Sequence, residues 1–264
     1  MKNIIFASLI LVAFTSCQKV INIDLNSTDP QYVIEGEITN EARPYQIKIT
    51  KTVNFSESNK FPTVTGAVVT ISDDAGNTET LTESKSGVYE TKILRGTPTR
   101  TYTLTVKHNG KTMTSVSKMP ALVPLIAINT IEDQFGASAS AKIQYRAVPL
   151  YNDPAGVKNY YRFIQVINTK LDSSFLVRND NLSDGKQTVQ PLFSRGANIY
   201  QGDSLRITMQ CIDSQVYDYF YSLNASSGNG PGGGSTPTNP VNNIVGALGY
   251  FSACSLSEKR ILIK

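Results

Sequence analysis

Thr101-Tyr102-Thr103-Leu104-Thr105-Val106-Lys107-His108-Asn109-Gly110-Lys111, running on to Met119, is the stretch that decides the fold class. Tyr102, Leu104 and Val106 alternate with Thr101, Thr103 and Thr105. That two-residue period belongs to a strand with one face on a core and one in water. Asn109-Gly110 supplies two residues that tolerate positive φ, which a type I′ turn requires at both central positions. The segment reads as a β-hairpin.

Its neighbours repeat the pattern. Tyr32, Ile34 and Ile38 alternate on one face, as do Tyr45, Ile47 and Ile49, then Val69 and Ile71. Asp74-Ala75-Gly76-Asn77 marks a second turn between Ala67–Asp73 and Thr78–Thr82. About seven short strands in residues 31–120 fit the spacing of an immunoglobulin-like β-sandwich. The chain contains no Trp, and no cysteine pair falls in this block, so the antibody-type core is absent.

Pro120 and Pro124 bracket a hinge, since neither can donate to a ladder. Beyond it, residues 121–264 read as a second β-rich, sandwich-like domain. Its strands are expected at Leu125–Ile131, Ala139–Val148, Tyr160–Asn168, Ser174–Val177, Gln187–Phe193 and Ser204–Ile212. One short helix follows Asp213 or Ser214, either of which can cap it. Val216, Tyr219, Phe220 and Leu223 fall at i, i+3, i+4 and i+7, an apolar stripe facing a sheet. Residues 228–240 are too polar and glycine-rich to offset their ordering entropy and read as a flexible loop. After Asn243 the apolar Ile244, Val245, Leu248, Tyr250 and Phe251 return the chain to the core, with Gly246 and Gly249 marking a bulge or close backbone approach. The fold class is all-β, two sandwich-like units and one short helix.

Composition narrows the function. In 264 residues there is one His, which excludes a multi-histidine metal site, and the net charge of +4 comes without a basic stripe. Nucleic acid is therefore not an expected partner. His108 lies beside the Asn-Gly turn and reads as a solvated hairpin residue. Glu35 and Glu37 share a strand face at i, i+2, as paired catalytic carboxylates can, but an exposed, solvated face is the expectation. Gly36 between them marks a bulge or a close approach. Asn179-Asp180-Asn181-Leu182-Ser183-Asp184-Gly185 resembles a calcium loop in composition. Its glycine comes one position late and no Glu closes it, so a surface turn is expected. The glycines of 228–235 lack the Lys of a phosphate loop. No acid, base and nucleophile come together in the sequence, and no cofactor or metal site is expected.

The first residues locate the protein. Met1-Lys2-Asn3 is a short positive start, and Ile4 to Phe14 is an apolar run of secretory length, too short to span a bilayer. It ends in Thr15-Ser16-Cys17, which resembles a lipobox: residues 1–16 are removed as signal peptide and Cys17 carries the lipid. Residues 17–30 form a tether. Two or more acyl chains hold a protein stably where one does not, at ~0.8 kcal/mol per buried methylene. Two cysteines remain, Cys211 and Cys254. In an oxidising compartment they form a disulfide, or else they are two buried thiols serving as small hydrophobes.

Several stretches resemble a known family. Cys17-Gln18-Lys19-Val20-Ile21-Asn22-Ile23-Asp24-Leu25 and Tyr32-Val33-Ile34-Glu35-Gly36 are similar to the mature start of Bacteroidota lipoproteins built on the domain of unknown function numbered 4249. Pro62-Thr63-Val64-Thr65-Gly66-Ala67, Ile71 to Gly76, and Thr101 to Val106 resemble its middle. The closing stretch Asn239-Pro240-Val241-Asn242-Asn243-Ile244-Val245-Gly246-Ala247-Leu248-Gly249-Tyr250-Phe251 is the most specific piece, with Ser252 where glycine is usual. The resemblance implies an outer-membrane lipoprotein associated with a TonB-dependent transporter, and it supplies no catalytic residues. Surface export in such lipoproteins follows an acidic cluster after the cysteine; here Asp24 is the one acid, behind Lys19. The expected function is a non-enzymatic, lipid-anchored binding or accessory protein. A structural or adhesive surface module is the alternative, and a hydrolase of extracellular polymers the third reading.

Overall fold

A computed structural model describes residues 29–54, 60–133, 142–194, 196, 198–226 and 239–264. The signal-peptide reading, Cys17 and most of the 228–240 loop lie outside these residues. The hairpin forms as read: Thr101–His108 and Lys111–Lys118 pair from Thr101↔Lys118 to His108↔Lys111. Asn109 and Gly110 close it at φ of 47° and 73°. The second turn forms too, held by Asp73 Oδ1, which accepts the backbone N–H groups of Ala75 and Asn77 at 3.0 and 2.9 Å. Val68–Asp73 and Thr78–Thr80 extend the hairpin on one side, and Ile244–Val245 closes the other edge, making a five-stranded sheet.

Facing it are Tyr32–Thr39, Gln46–Lys51, Val88–Glu90 and Thr82–Lys85, which belong to a nine-stranded sheet that does not stop at the proline hinge. The reason is one strand, Leu248–Leu262, fifteen residues long. Its first half pairs parallel with Tyr32–Thr39, from Val33↔Leu248 to Thr39↔Cys254. Its second half pairs antiparallel with Ser204–Ile212, from Cys211↔Ser255 to Ser204↔Leu262. Tyr160–Ile167, Lys170–Leu171 and Leu176–Asn179 complete the sheet beyond. A parallel pair needs a long crossover, and here residues 40–247, the rest of the first block together with most of the second, form it.

Two cores lie side by side on one face of this sheet. The first gathers Ile34, Ile38, Tyr45, Ile47, Ile49, Tyr89 and the inner face of the five-stranded sheet. The second gathers Tyr161, Phe163, Leu205, Ile207 and Met209 under a small sheet of Ala127–Glu132, Gln144–Asn152, Gln187–Thr188 and Ile199–Tyr200. Each fully buried side chain of this size contributes ~1.5–3 kcal/mol. The division at residue 120 separates the two cores only in part. Ile244, Phe251 and Ala253, from the far C-terminus, complete the first. Part of the unit 121–264 thus packs into the core of the unit 31–120.

The strand expected to end at Val148 runs through Pro149 to Asn152. Its partners on one side, Ile199–Tyr200 and Gln187–Thr188, touch only its two ends. Pro149 sits in the open middle, where a residue without an N–H fits. The helix spans Ser214–Ser226 on the opposite face of the large sheet. Asp213 caps it, Oδ1 accepting the Val216 N–H at 2.9 Å. Val216, Tyr219 and Phe220 are buried and Leu223 packs against them, the predicted stripe. Gly249 has φ of 103°, and a Cβ there would stand 2.0 Å from the Ile34 carbonyl oxygen. The parallel pairing demands glycine at that point.

Candidate functional site

The two cysteines are free and buried. They sit on adjacent strands, but Cys211 is directly opposite Ser255, so Cys254, one residue away, points to the other face. Cys211 lies in the second core and takes the Val123 N–H on its sulfur at 3.4 Å, while Cys254 lies under the helix. The bridge between Cys211 and Cys254 does not form; of the two sequence readings, buried thiols is the one observed. Burial pushes both thiols above their ordinary pKa, Cys254 far above. Neither has the thiolate character a nucleophile needs.

Glu35 behaves as expected, at the surface and 3.4 Å from Lys48 Nζ. Glu37 does not. Its Oε2 accepts Gln210 Nε2 at 2.9 Å and lies 3.6 Å from Arg162 Nη1, while Oε1 lies 3.7 Å from Arg43. Arg162 stacks over the Phe220 ring at 3.9 Å and donates to Gln210 Oε1 at 3.2 Å. The long strand places Tyr32–Thr39 and Ser204–Ile212 on its two sides, and that brings Glu37 to residues more than a hundred positions away. The group ties the first block, the second block and the helix together. Gly36 is a close approach: a Cβ there would meet Ile47 Cδ1 at 2.3 Å. His108 is likewise not a lone solvated residue, since its Nδ1 shares a hydrogen bond with Tyr32 Oη at 2.8 Å.

A cleft of about 540 Å³ opens where the hinge passes between the two cores. Met119 and Ile212 are buried in its wall, whereas the lining residues Leu122 and Val157 are 42% and 57% exposed to solvent. Asp213 stands at its edge, its carboxylate accepting the Ser117 hydroxyl as well as the helix cap. Burial raises the Asp213 pKa against those bonds. The volume falls in the range of small-molecule sites, and such sites favour the seams between structural units. Beside the cleft, the rings of Tyr160, Tyr217 and Tyr221 form a ladder with centroid spacings of 5.1 and 5.6 Å. Tyr221 is 58% exposed, unlike most of the tyrosines described.

The stretch Asn179 to Gly185 turns, with Gly185 at φ of 69°, but it is not wholly a surface turn, since Asp180 and Ser183 within it are buried. Spacing along the chain could not show its partner. Asp153, at the end of Gln144–Asn152, meets Asp180 and Asp184, one carboxylate oxygen of each lying within 4.8 Å of the others. Burial raises the pKa of Asp153; the Tyr161 hydroxyl opposes the shift and the charge of Asp180 adds to it. The backbone that brings them together runs through Asp153 N–H to Lys186 O at 2.9 Å and Asp180 N–H to Asn159 O at 3.1 Å.

The family model described as Domain of unknown function (DUF4249) matches residues 18–260. The chain belongs to this family. The DUF4249 match covers both cores, the helix and most of the long strand, so the family's domain is the whole described fold and not one of its halves. No curated protein matches the chain.

Proposed function

We propose that this DUF4249 protein is a non-enzymatic, lipid-anchored outer-membrane protein that captures a ligand for a TonB-dependent transporter. The observation that carries the reading is the order of its parts: a secretory apolar run, the lipobox-like Thr15-Ser16-Cys17, then the family domain from residue 18. Cys17 carries the lipid, and the short tether holds the domain close to the membrane. No helix among the described residues is long and apolar enough to cross a membrane. The seam cleft and the tyrosine ladder beside it are the surfaces offered to a ligand.

A hydrolase would need two carboxylates facing a cleft that a polymer can enter. The acids that converge here are Asp153 and Asp180, 4% and 1% exposed, and the exposed Asp184. That arrangement favours holding an ion or a loop over cutting a chain. Crosslinking followed by pull-down from solubilised membranes tests the proposal. Reproducible recovery of a TonB-dependent channel supports it, and recovery of none under crosslinking argues for the display or adhesive alternative. Cys17→Ala should abolish acyl labelling and release the protein from membranes.

A further inference from the structure

Asp153 and Asp180 hold an unusual pair of atoms. Asp153 Oδ1 accepts the Tyr161 hydroxyl and Asp180 Oδ2 accepts the Asn159 N–H at 2.8 Å. The other oxygen of each, Asp153 Oδ2 and Asp180 Oδ1, is buried with no hydrogen-bond partner. Buried polar atoms left this way are rare in folded proteins, and buried unpaired carboxylate oxygens are costly. Asp184 joins them from the surface, its Oδ1 fixed by the Gly156 N–H at 2.7 Å. The nearby ammonium, Lys158 Nζ, stands 3.6 Å from Asp180 Oδ1 on a side chain 70% exposed, and its hydrogen bond goes to Asn181 Oδ1 at 3.1 Å. This ion pair offsets part of the Asp180 charge from the solvent side and leaves Asp153 Oδ2 without a partner.

We propose that Asp153, Asp180 and Asp184 form a binding site for a divalent, oxygen-seeking cation, calcium in the first place. The donor set is all carboxylate, the chemistry of hard ions and not of zinc or copper. Calcium accepts oxygens at about 2.3–2.6 Å in irregular geometry, so two oxygens across the ion stand close to 5 Å apart; magnesium, at about 2.0–2.1 Å, requires a tighter octahedron. The gathering within 4.8 Å lets one ion reach all three acids, and their mixed origin in two loops suits the less exacting geometry of calcium. In each acid one oxygen is held by a protein donor, which orients the other toward the metal, as the hydrogen bonds behind metal ligands do. The ion clips the loop after Asp153 to the 180–186 turn, and Pro154, Val157 and Lys158 of that loop wall the seam cleft. Filling the site therefore firms one wall of the cleft. The inference stands on these three acids and does not depend on a transporter partner.

The test uses the mature chain in detergent, stripped with chelator and desalted. Calorimetric titration should show one calcium per chain, and saturating calcium should raise the melting temperature by several degrees, since a ligand bound only by the native state stabilises it. Terbium offers an independent readout, as the nearby Tyr161 should sensitise its emission and calcium should quench that signal by displacement. Asp184→Asn keeps the Gly156 bond and should fold, yet bind calcium at least tenfold more weakly with a smaller thermal shift. No heat, no shift and no terbium signal at millimolar ion would overturn the site. Undiminished binding by Asp184→Asn would place the ion elsewhere, and tighter binding of magnesium than calcium would overturn the assignment of the ion.

Discussion

Asp213 shows how much one side chain can join. It caps the helix through the Val216 N–H and accepts the Ser117 hydroxyl from the opposite block; Ser117 in turn accepts the Ala253 N–H at 2.8 Å. Asp213→Ala should cost about 1–2 kcal/mol from the cap alone, measured by urea denaturation, and Asp213→Asn should recover part of it. Glu79 is a second case. Burial works against its charge, but the N–H groups of Lys92, Leu94 and Ile93 outweigh it and hold its pKa below the ordinary value. A folded-state pKa below the unfolded one adds stability that is present above the unfolded value and lost as pH falls through the folded one. Glu79→Gln should therefore flatten the acid limb of a stability–pH curve below about pH 4.5 and leave its neutral shape alone. Cys211 and Cys254, both free, should each react with a thiol reagent in denaturant without reductant. A chain protected from labelling would mean that the pair had oxidised.

At the scale of elements, the strand Leu248–Leu262 matters most. It carries one face of the first core through Phe251 and Ala253 and orders the second through its ladder to Ser204–Ile212. Gly249 lets it lie against Tyr32–Thr39. Adding a Cβ at φ of 103° and 2.0 Å from a backbone oxygen leaves no room to adjust. Gly249→Ala should cost more than about 3 kcal/mol, well above the ~1 kcal/mol of an ordinary substitution. Gly76→Ala, in open space at φ of 89°, serves as the control for left-handed strain without a clash. Equal losses in the two variants would show that the close approach to Ile34 is not what requires glycine.

For the whole molecule, the shared sheet makes the two cores one cooperative system. Calorimetry of the intact chain should give a single unfolding transition, because neither core can lose Leu248–Leu262 without the other. Two resolved transitions would show the cores to be separable. Truncation after Asn243 removes that strand together with Ile244–Val245, an edge of the five-stranded sheet. Both halves should then unfold, and not the second alone.

Strand periodicity, turn chemistry and the helix cap were legible in the sequence because they are local. Tyr102-Leu104-Val106, Asn109-Gly110 and the stripe after Asp213 each declare themselves within a few residues. The DUF4249 resemblance was legible as well, carried by whole segments such as 239–251 and matched from 18 to 260. Whatever depends on meetings between distant strands was not. A two-residue period tells which side chains share a face, but not which strand lies alongside. Glu37 was read as solvated because nothing near it in the chain announces Arg162 or Gln210. Asp180 and Asp184 were read as a plain turn because Asp153, the third acid, lies far earlier in sequence. The thiols of Cys211 and Cys254 were left undecided between bridge and burial, since only the register Cys211↔Ser255 shows that they face opposite ways. Local propensity determined the elements. The parallel pairing of a C-terminal strand with an N-terminal one, a contact whose loop-closure entropy is offset only by burying both cores, decided where their side chains meet.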